Sequence, residues 1–146
     1  MRRHALSTLL SFGTILAAAS IAAAQGPTEV GIEERLGAIL PLESFTFADE
    51  EGKPIVLKEL FDRPVILTLV YFRCPSICTP LLQELSRNVN NSDLTPGRDY
   101  RMVTISFDPT EKSDLAKLKK KNFLATLDKK EVSPDAWRWL TGDEQT

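Results

Sequence analysis

Apolar and β-branched residues run almost unbroken from Val65 to Phe72, the strongest strand pattern in the chain. Such a run predicts a strand covered on both faces. Ahead of it, Phe45 and Phe47 alternate against Thr46, which predicts a short strand over residues 42–47. Asp49-Glu50-Glu51-Gly52-Lys53 reads as a turn and residues 54–57 as a returning strand, so the two form a hairpin. Downstream, Cys78, Leu82, Leu85 and Val89 recur at helical spacing, with Leu81 beside the stripe. Thr79 and Pro80 suit the start of that helix, because proline is tolerated in a first turn. Asn90-Asn91-Ser92 should end it, and Thr95-Pro96-Gly97 makes a turn. Residues 100–107 predict the next strand, with Val103, Ile105 and Phe107 on one face, closed by Asp108-Pro109-Thr110. A second helix follows over 113–127, with Ser113 or Asp114 as its cap. Residues 137–140 read as a short strand.

The order is hairpin, strand, helix, strand, helix, short strand. Strand–helix–strand with short links implies a right-handed crossover and a parallel pair, hence an α/β layered fold. Both cysteines, Cys74 and Cys78, then fall at the carboxyl end of the central strand, where open α/β sheets place their sites.

The N-terminus adds a compartment. Arg2 and Arg3 precede an apolar stretch over 9–21, and Ala22-Ala23-Ala24 offers a cleavage site before Gln25. Residues 1–24 are expected to be a secretory signal, 25–35 a polar lead-in with a short helical pattern at 32–36, and 36–146 the folded domain. Left uncleaved, residues 5–24 are roughly long enough, at about 20 residues, to tether the protein to a membrane. Either way the domain is exported, and the periplasm is the expected compartment. Removing the signal takes two of the 18 basic residues and none of the 20 acidic ones, so the balance moves from −2 to about −4. That argues against nucleic acid as a partner. The chain's one histidine, His4, leaves with the signal, which excludes Ser-His-Asp and Cys-His catalysis in the mature chain.

Cys74-Pro75-Ser76-Ile77-Cys78 therefore carries the candidate chemistry. Outside the cytosol the two thiols face oxidising conditions. A structural disulfide would close only a very short loop, whose entropic benefit is small. Two other uses remain open: cycling between dithiol and disulfide, or holding a soft ion between two thiolates. Cysteines four apart meet on one helical face, and free amides at a helix start stabilise a thiolate there. Pro75 restricts the backbone between them and Arg73 adds a positive charge beside Cys74. Two thiolates suit Cu(I), whereas a structural zinc ion takes four ligands.

At these residues the chain resembles the SCO1/SenC family of copper-handling proteins with a thioredoxin-like fold. The likeness rests on Val70-Tyr71-Phe72-Arg73-Cys74-Pro75-Ser76-Ile77-Cys78-Thr79-Pro80 and on Val103-Thr104-Ile105-Ser106-Phe107-Asp108-Pro109. The turn at 49–54 and the segment Leu140-Thr141-Gly142-Asp143-Glu144 add to it, so that it covers roughly residues 36–144. The three-residue cysteine spacing is specific, because ordinary thioredoxin-type enzymes use two. The resemblance implies a thioredoxin-like three-layer α/β fold entered by a β-hairpin. It implies a metallochaperone more than an enzyme, with Cys74 and Cys78 as both the redox pair and the ligands of copper, as Cu(I) or Cu(II). It implies as partner the copper-centre subunit of cytochrome c oxidase or another copper carrier. Asp108 matches the family's Asp-Pro motif, and its expected role is structural, capping the loop after the strand. The family's third copper ligand is a histidine well downstream of the second helix, which this sequence does not contain; nor does it contain the final strands and helix. The expectation is a chain truncated at its C-terminus, with weakened copper binding, a metal-free thiol–disulfide oxidoreductase or a remnant without full activity as alternatives, and an unpaired strand open to dimerisation.

Other polar runs read as solvated surface. Lys117, Lys119, Lys120, Lys121, Lys129 and Lys130 are expected on an exposed helix face, and Glu33, Glu34, Glu50 and Glu51 in polar turns. Trp137 and Trp139, two apart, should share one face of their strand.

Overall fold

The structure is a computed structural model that describes residues 36–128 and 132–144. From Ile39 onward the chain forms one unit. A hairpin of β1 (Thr46–Ala48) and β2 (Pro54–Val56) opens it. β3 (Val65–Val70), α1 (Cys78–Asn91), β4 (Arg101–Ser106), α2 (Ser113–Leu124) and β5 (Trp137–Thr141) follow. The five strands lie in the order β2-β1-β5-β4-β3. β3, β4 and β5 are mutually parallel, with Leu67 opposite Val103 and Thr104 opposite Trp139. β1 joins β5 antiparallel through Ala48 and Thr141.

The hairpin turn forms because Asp49 Oδ1 accepts from the backbone N–H groups of Glu51 (2.9 Å) and Lys53 (2.8 Å). Gly52 takes φ +75°, a conformation other residues adopt only with strain. One face of the sheet packs on the two helices through Phe72, Leu82, Met102, Phe123, Trp137 and Trp139. The other carries Leu57, Leu60, Val103, Ile105 and Leu140. Trp137 and Trp139 share the helix-side core, their rings 5.3 Å apart and fully buried, so packing accounts for both. Trp137 Nε1–H donates to Thr104 Oγ1 at 2.8 Å.

The structure departs from the sequence pattern in five places. Residues 42–44 form a 3-10 turn, closed by Ser44 N–H to the Pro41 carbonyl, and the first strand starts only at Thr46. Helix α1 starts at Cys78 itself, one residue before the Thr79-Pro80 signal. Helix α2 ends at Leu124, short of 127, where Thr126 Oγ1 bonds the Phe123 carbonyl; its cap position is Lys112, with no side-chain bond from Ser113 or Asp114.

The fourth departure concerns β3. It is not central but outermost, and among the described residues it pairs with β4 alone. Ile66, Leu67 and Leu69 remain 37%, 37% and 58% exposed. A continuous apolar run reports hydrophobicity and does not distinguish a strand covered on both faces from one at the edge of the sheet. The strand buried on both faces is β4.

The fifth concerns charge. Asp49, Glu50 and Lys120 are buried, not solvated. Glu50 accepts from Lys120 Nζ, from Arg138 Nε and from the backbone N–H of Trp139, while Arg138 Nη2 reaches Asp49 at 3.0 Å. The cluster fastens the hairpin to α2 and β5. Glu51 and Lys117 do lie on the surface, as their polar setting predicts, and they pair there at 2.8 Å. The signal, the lead-in up to residue 35, Glu33, Glu34, Lys129 and Lys130 lie outside the described residues. No described helix is long and apolar enough to cross a membrane.

Candidate functional site

Strand β3 ends at Val70, and residues 71–77 turn the chain into α1. Inside this turn, the N–H of Cys74 donates to the Tyr71 carbonyl at 3.3 Å. Cys78 is the first residue of α1 and is buried; Cys74 is half-buried, and both thiols are free. The opening amides of a helix have no partner within it. Here the N–H of Cys78 points at Cys74 Sγ at 3.5 Å.

That geometry splits the pair. Donation from the Cys78 backbone, then from the Ser76 backbone and the Cys78 thiol, lowers the Cys74 thiol from 9.0 to about 7, outweighing partial burial. Cys78 moves the other way. Burial pushes it up first, helped by its bond to the Cys74 sulfur and by negative charge at Cys74 and Glu111. Cys74 is thus the accessible, readily ionised thiol, and Cys78 the protected one. Arg73, expected to acidify Cys74, instead helps hold the Asp108 carboxyl low, behind the larger effect of Thr110.

Cys74 borders a cleft of about 470 Å³ lined by Tyr71, Arg73, Pro75, Phe107, Asp108 and Pro109 among others. Tyr71 and Phe107 pack ring to ring, 3.9 Å between centroids, at its wall. Asp108 Oδ1 accepts from Thr110 N–H (2.8 Å) and Oγ1–H (2.6 Å), which is the loop-closing role expected of it.

Glu111 was not singled out by its sequence position. Its carboxylate is fully buried. Oε2 accepts from the Phe72 backbone N–H at 2.7 Å and from Ser106 Oγ–H at 2.5 Å, and Oε1 from the Arg73 N–H at 2.7 Å. Its partners in the cysteine turn lie 39 and 38 positions away, so no local pattern reveals them. Its place just after the strand-ending Asp108-Pro109 turn was the only hint.

As a metal site, the turn offers two thiolates and no more. Among the described residues no third His, Cys, Asp or Glu joins them. That donor set fits a soft ion of low coordination number and does not fit four-coordinate zinc.

A sheet of parallel strands fed by a hairpin, with a thiol pair where a strand turns into a helix, defines a thioredoxin-like α/β domain. Within that class the chain belongs to the SCO1/SenC family, whose model matches residues 37–146. It is 29% identical over 108 residues to the SCO1 protein homolog of Bacillus subtilis, covering 72% of this chain and 51% of that one. It is also similar to the Arabidopsis thaliana ScoI structure with copper bound (25% identity, TM-score 0.54, 69% of this chain and 57% of that one). Yeast Sco1 with copper bound matches at 26% identity and TM-score 0.50, over 69% of this chain and 58% of the yeast chain. The chain spans about half the length of the curated relative it matches.

Proposed function

We propose that this chain handles copper as cargo, taking Cu(I) between the Cys74 and Cys78 thiolates for assembly of a cytochrome c oxidase copper centre. The supporting observation is the pair itself: two sulfurs at a helix start, Cys74 Sγ accepting from the Cys78 N–H with its thiol lowered to about 7, and no third donor gathered beside them among the described residues. A two-coordinate thiolate site holds Cu(I) and leaves a position free, which suits transfer to a receiving site with more ligands. The copper-bound relatives support the same reading. Export through residues 1–24, a lead-in over 25–35 and a domain over 36–146 would place the site on the periplasmic side, facing the copper-centre subunit or another copper carrier.

The test is an anaerobic Cu(I) titration of the reduced protein against a chelator of known affinity, repeated with Cys74→Ser and Cys78→Ser. One-to-one binding lost in both variants is expected. Binding that survives both substitutions refutes the site.

A second reading is favoured by the split acidity of the thiols. The Cys74 thiolate would attack one sulfur of a partner disulfide and release the other as a thiolate. Cys78, after losing its proton to solvent, would then attack Cys74 Sγ, closing the Cys74–Cys78 disulfide and freeing the partner as a dithiol. Two electrons pass to the partner and none are left over. A pair that stays oxidised throughout a glutathione redox series refutes this reading.

A further inference from the structure

Glu111 takes no part in either reading as a ligand or as a nucleophile. Yet it is a fully buried carboxylate that, among the described residues, makes no ion pair. Three donors surround it instead of a cation, and two of them are the backbone N–H groups of Phe72 and Arg73. Those two residues lie beyond the last β3–β4 pair, Val70 and Ser106, so no strand ladder satisfies them. Within the turn itself the backbone bond from Cys74 to Tyr71 is long at 3.3 Å, and Pro75 has no N–H to give. What fixes residues 72 and 73 therefore fixes where Cys74 stands relative to the first amides of α1.

The carboxylate is in turn anchored. Ser106 Oγ donates to it at 2.5 Å while accepting from the Asp108 N–H at 3.2 Å. The end of β4, the Asp108-Pro109 turn and the cysteine turn are joined through one side chain.

We propose that Glu111 is a positioning residue for the thiol pair: its two oxygens clamp the backbone at Phe72 and Arg73 and hold Cys74 in line with the N-terminus of α1, at the mouth of the cleft. This rests on Cys74 and Cys78 being the reactive pair.

The chemistry of the substitutions is specific. In Glu111→Gln one oxygen becomes an amide NH₂, which faces a backbone N–H donor to donor whichever way the amide turns. Glu111→Asp keeps both oxygens but retracts them by one methylene. The readout is the rate at which iodoacetamide alkylates Cys74 in the reduced full chain, followed against pH, alongside a melting curve. With the clamp lost, the Cys78 N–H no longer points at the sulfur. The rate at pH 7 in Glu111→Gln should then fall by about threefold or more and its midpoint rise, because fewer donors stabilise the thiolate. Glu111→Asp should be intermediate. In a glutathione series the pair should become easier to oxidise, and a tenfold change in that equilibrium is about 30 mV. A purely structural role would lower the melting temperature without moving the alkylation midpoint.

A folded Glu111→Gln protein with wild-type alkylation rate and midpoint overturns the inference. Should that variant not fold, Ser106→Ala decides: it removes one anchor of the carboxylate, and should slow alkylation by about twofold, in the same direction. An unchanged rate there overturns the inference equally. Alkylation reports on the turn whether or not the protein takes copper. An inert wild type in the copper and glutathione assays therefore refutes the proposed function, and an unchanged Glu111→Gln refutes the clamp.

Discussion

The sharpest prediction concerns the acidity of Cys74. Cys78→Ser leaves Cys74 as the only thiol while keeping the backbone N–H of residue 78, the largest influence on its ionisation. With its midpoint at about 7, half of Cys74 is thiolate at pH 7, against about 1% for a thiol at the ordinary 9.0. That alone is roughly a 50-fold advantage, but a more acidic thiolate is a weaker nucleophile, which returns about six- to tenfold for a thiol two pKa units more acidic. The net expectation is alkylation about five to eight times faster than an unperturbed thiol at pH 7. The assay is the second-order rate with iodoacetamide from pH 5 to 9.5, read by mass shift. The rate should titrate with a midpoint near 7. A midpoint between 8.5 and 9 would show that the helix-start amides do not act on the sulfur. Linkage gives an independent check. The folded-state value lies below the unfolded one, so the thiolate's contribution to stability is full above pH 9 and is lost as pH falls through about 7. Stability in the Cys78→Ser background should therefore climb across that window.

Three further predictions follow from the packing. Lys120→Met strands part of a buried carboxylate pair and should cost about 3 kcal/mol in urea unfolding; less than 1 kcal/mol would mean that Arg138 alone satisfies Glu50. Trp139 Nε1 has no hydrogen-bond partner among the described residues, whereas Trp137 Nε1 bonds Thr104. Trp139→Phe should therefore be milder than Trp137→Phe by about 1 kcal/mol, and melting curves showing the reverse order would contradict the assignment. Leu69→Lys on the exposed side of β3 should leave stability within about 0.5 kcal/mol and lower self-association at high concentration, measured by light scattering.

Period and turn chemistry carried most of the fold. The stripe Cys78, Leu82, Leu85 and Val89 gave α1, and the Asp49–Lys53 turn gave the hairpin, because both are local signals. The position of β3 in the sheet was not legible, since an apolar run reports hydrophobicity and not the number of neighbours. Lys120 and Glu50 escape the sequence pattern for a related reason: each looks like surface within its own segment, and only the meeting of α2 with the hairpin buries them. The site divides in the same way. Cys74 and Cys78 stand out through spacing, and so does Asp108, whose partner is two residues away. Glu111 does not, because the two amides it holds in the cysteine turn lie 39 and 38 residues away.

The charge cluster also bears on the order of events during synthesis. Within the domain the hairpin precedes its sheet partner β5 and its counter-ion Arg138 by about 85 residues, so in any N-to-C order of emergence, from a ribosome or across a membrane, its carboxylates wait for them. Until Lys120 and Arg138 dock, Asp49 and Glu50 lack the cations beside which they are buried, and their charge favours the solubility of the two-strand ribbon. The same carboxylates that lock the finished domain thus act as a solubilising tag on the nascent one, and the docking of Arg138 is the moment at which one role becomes the other.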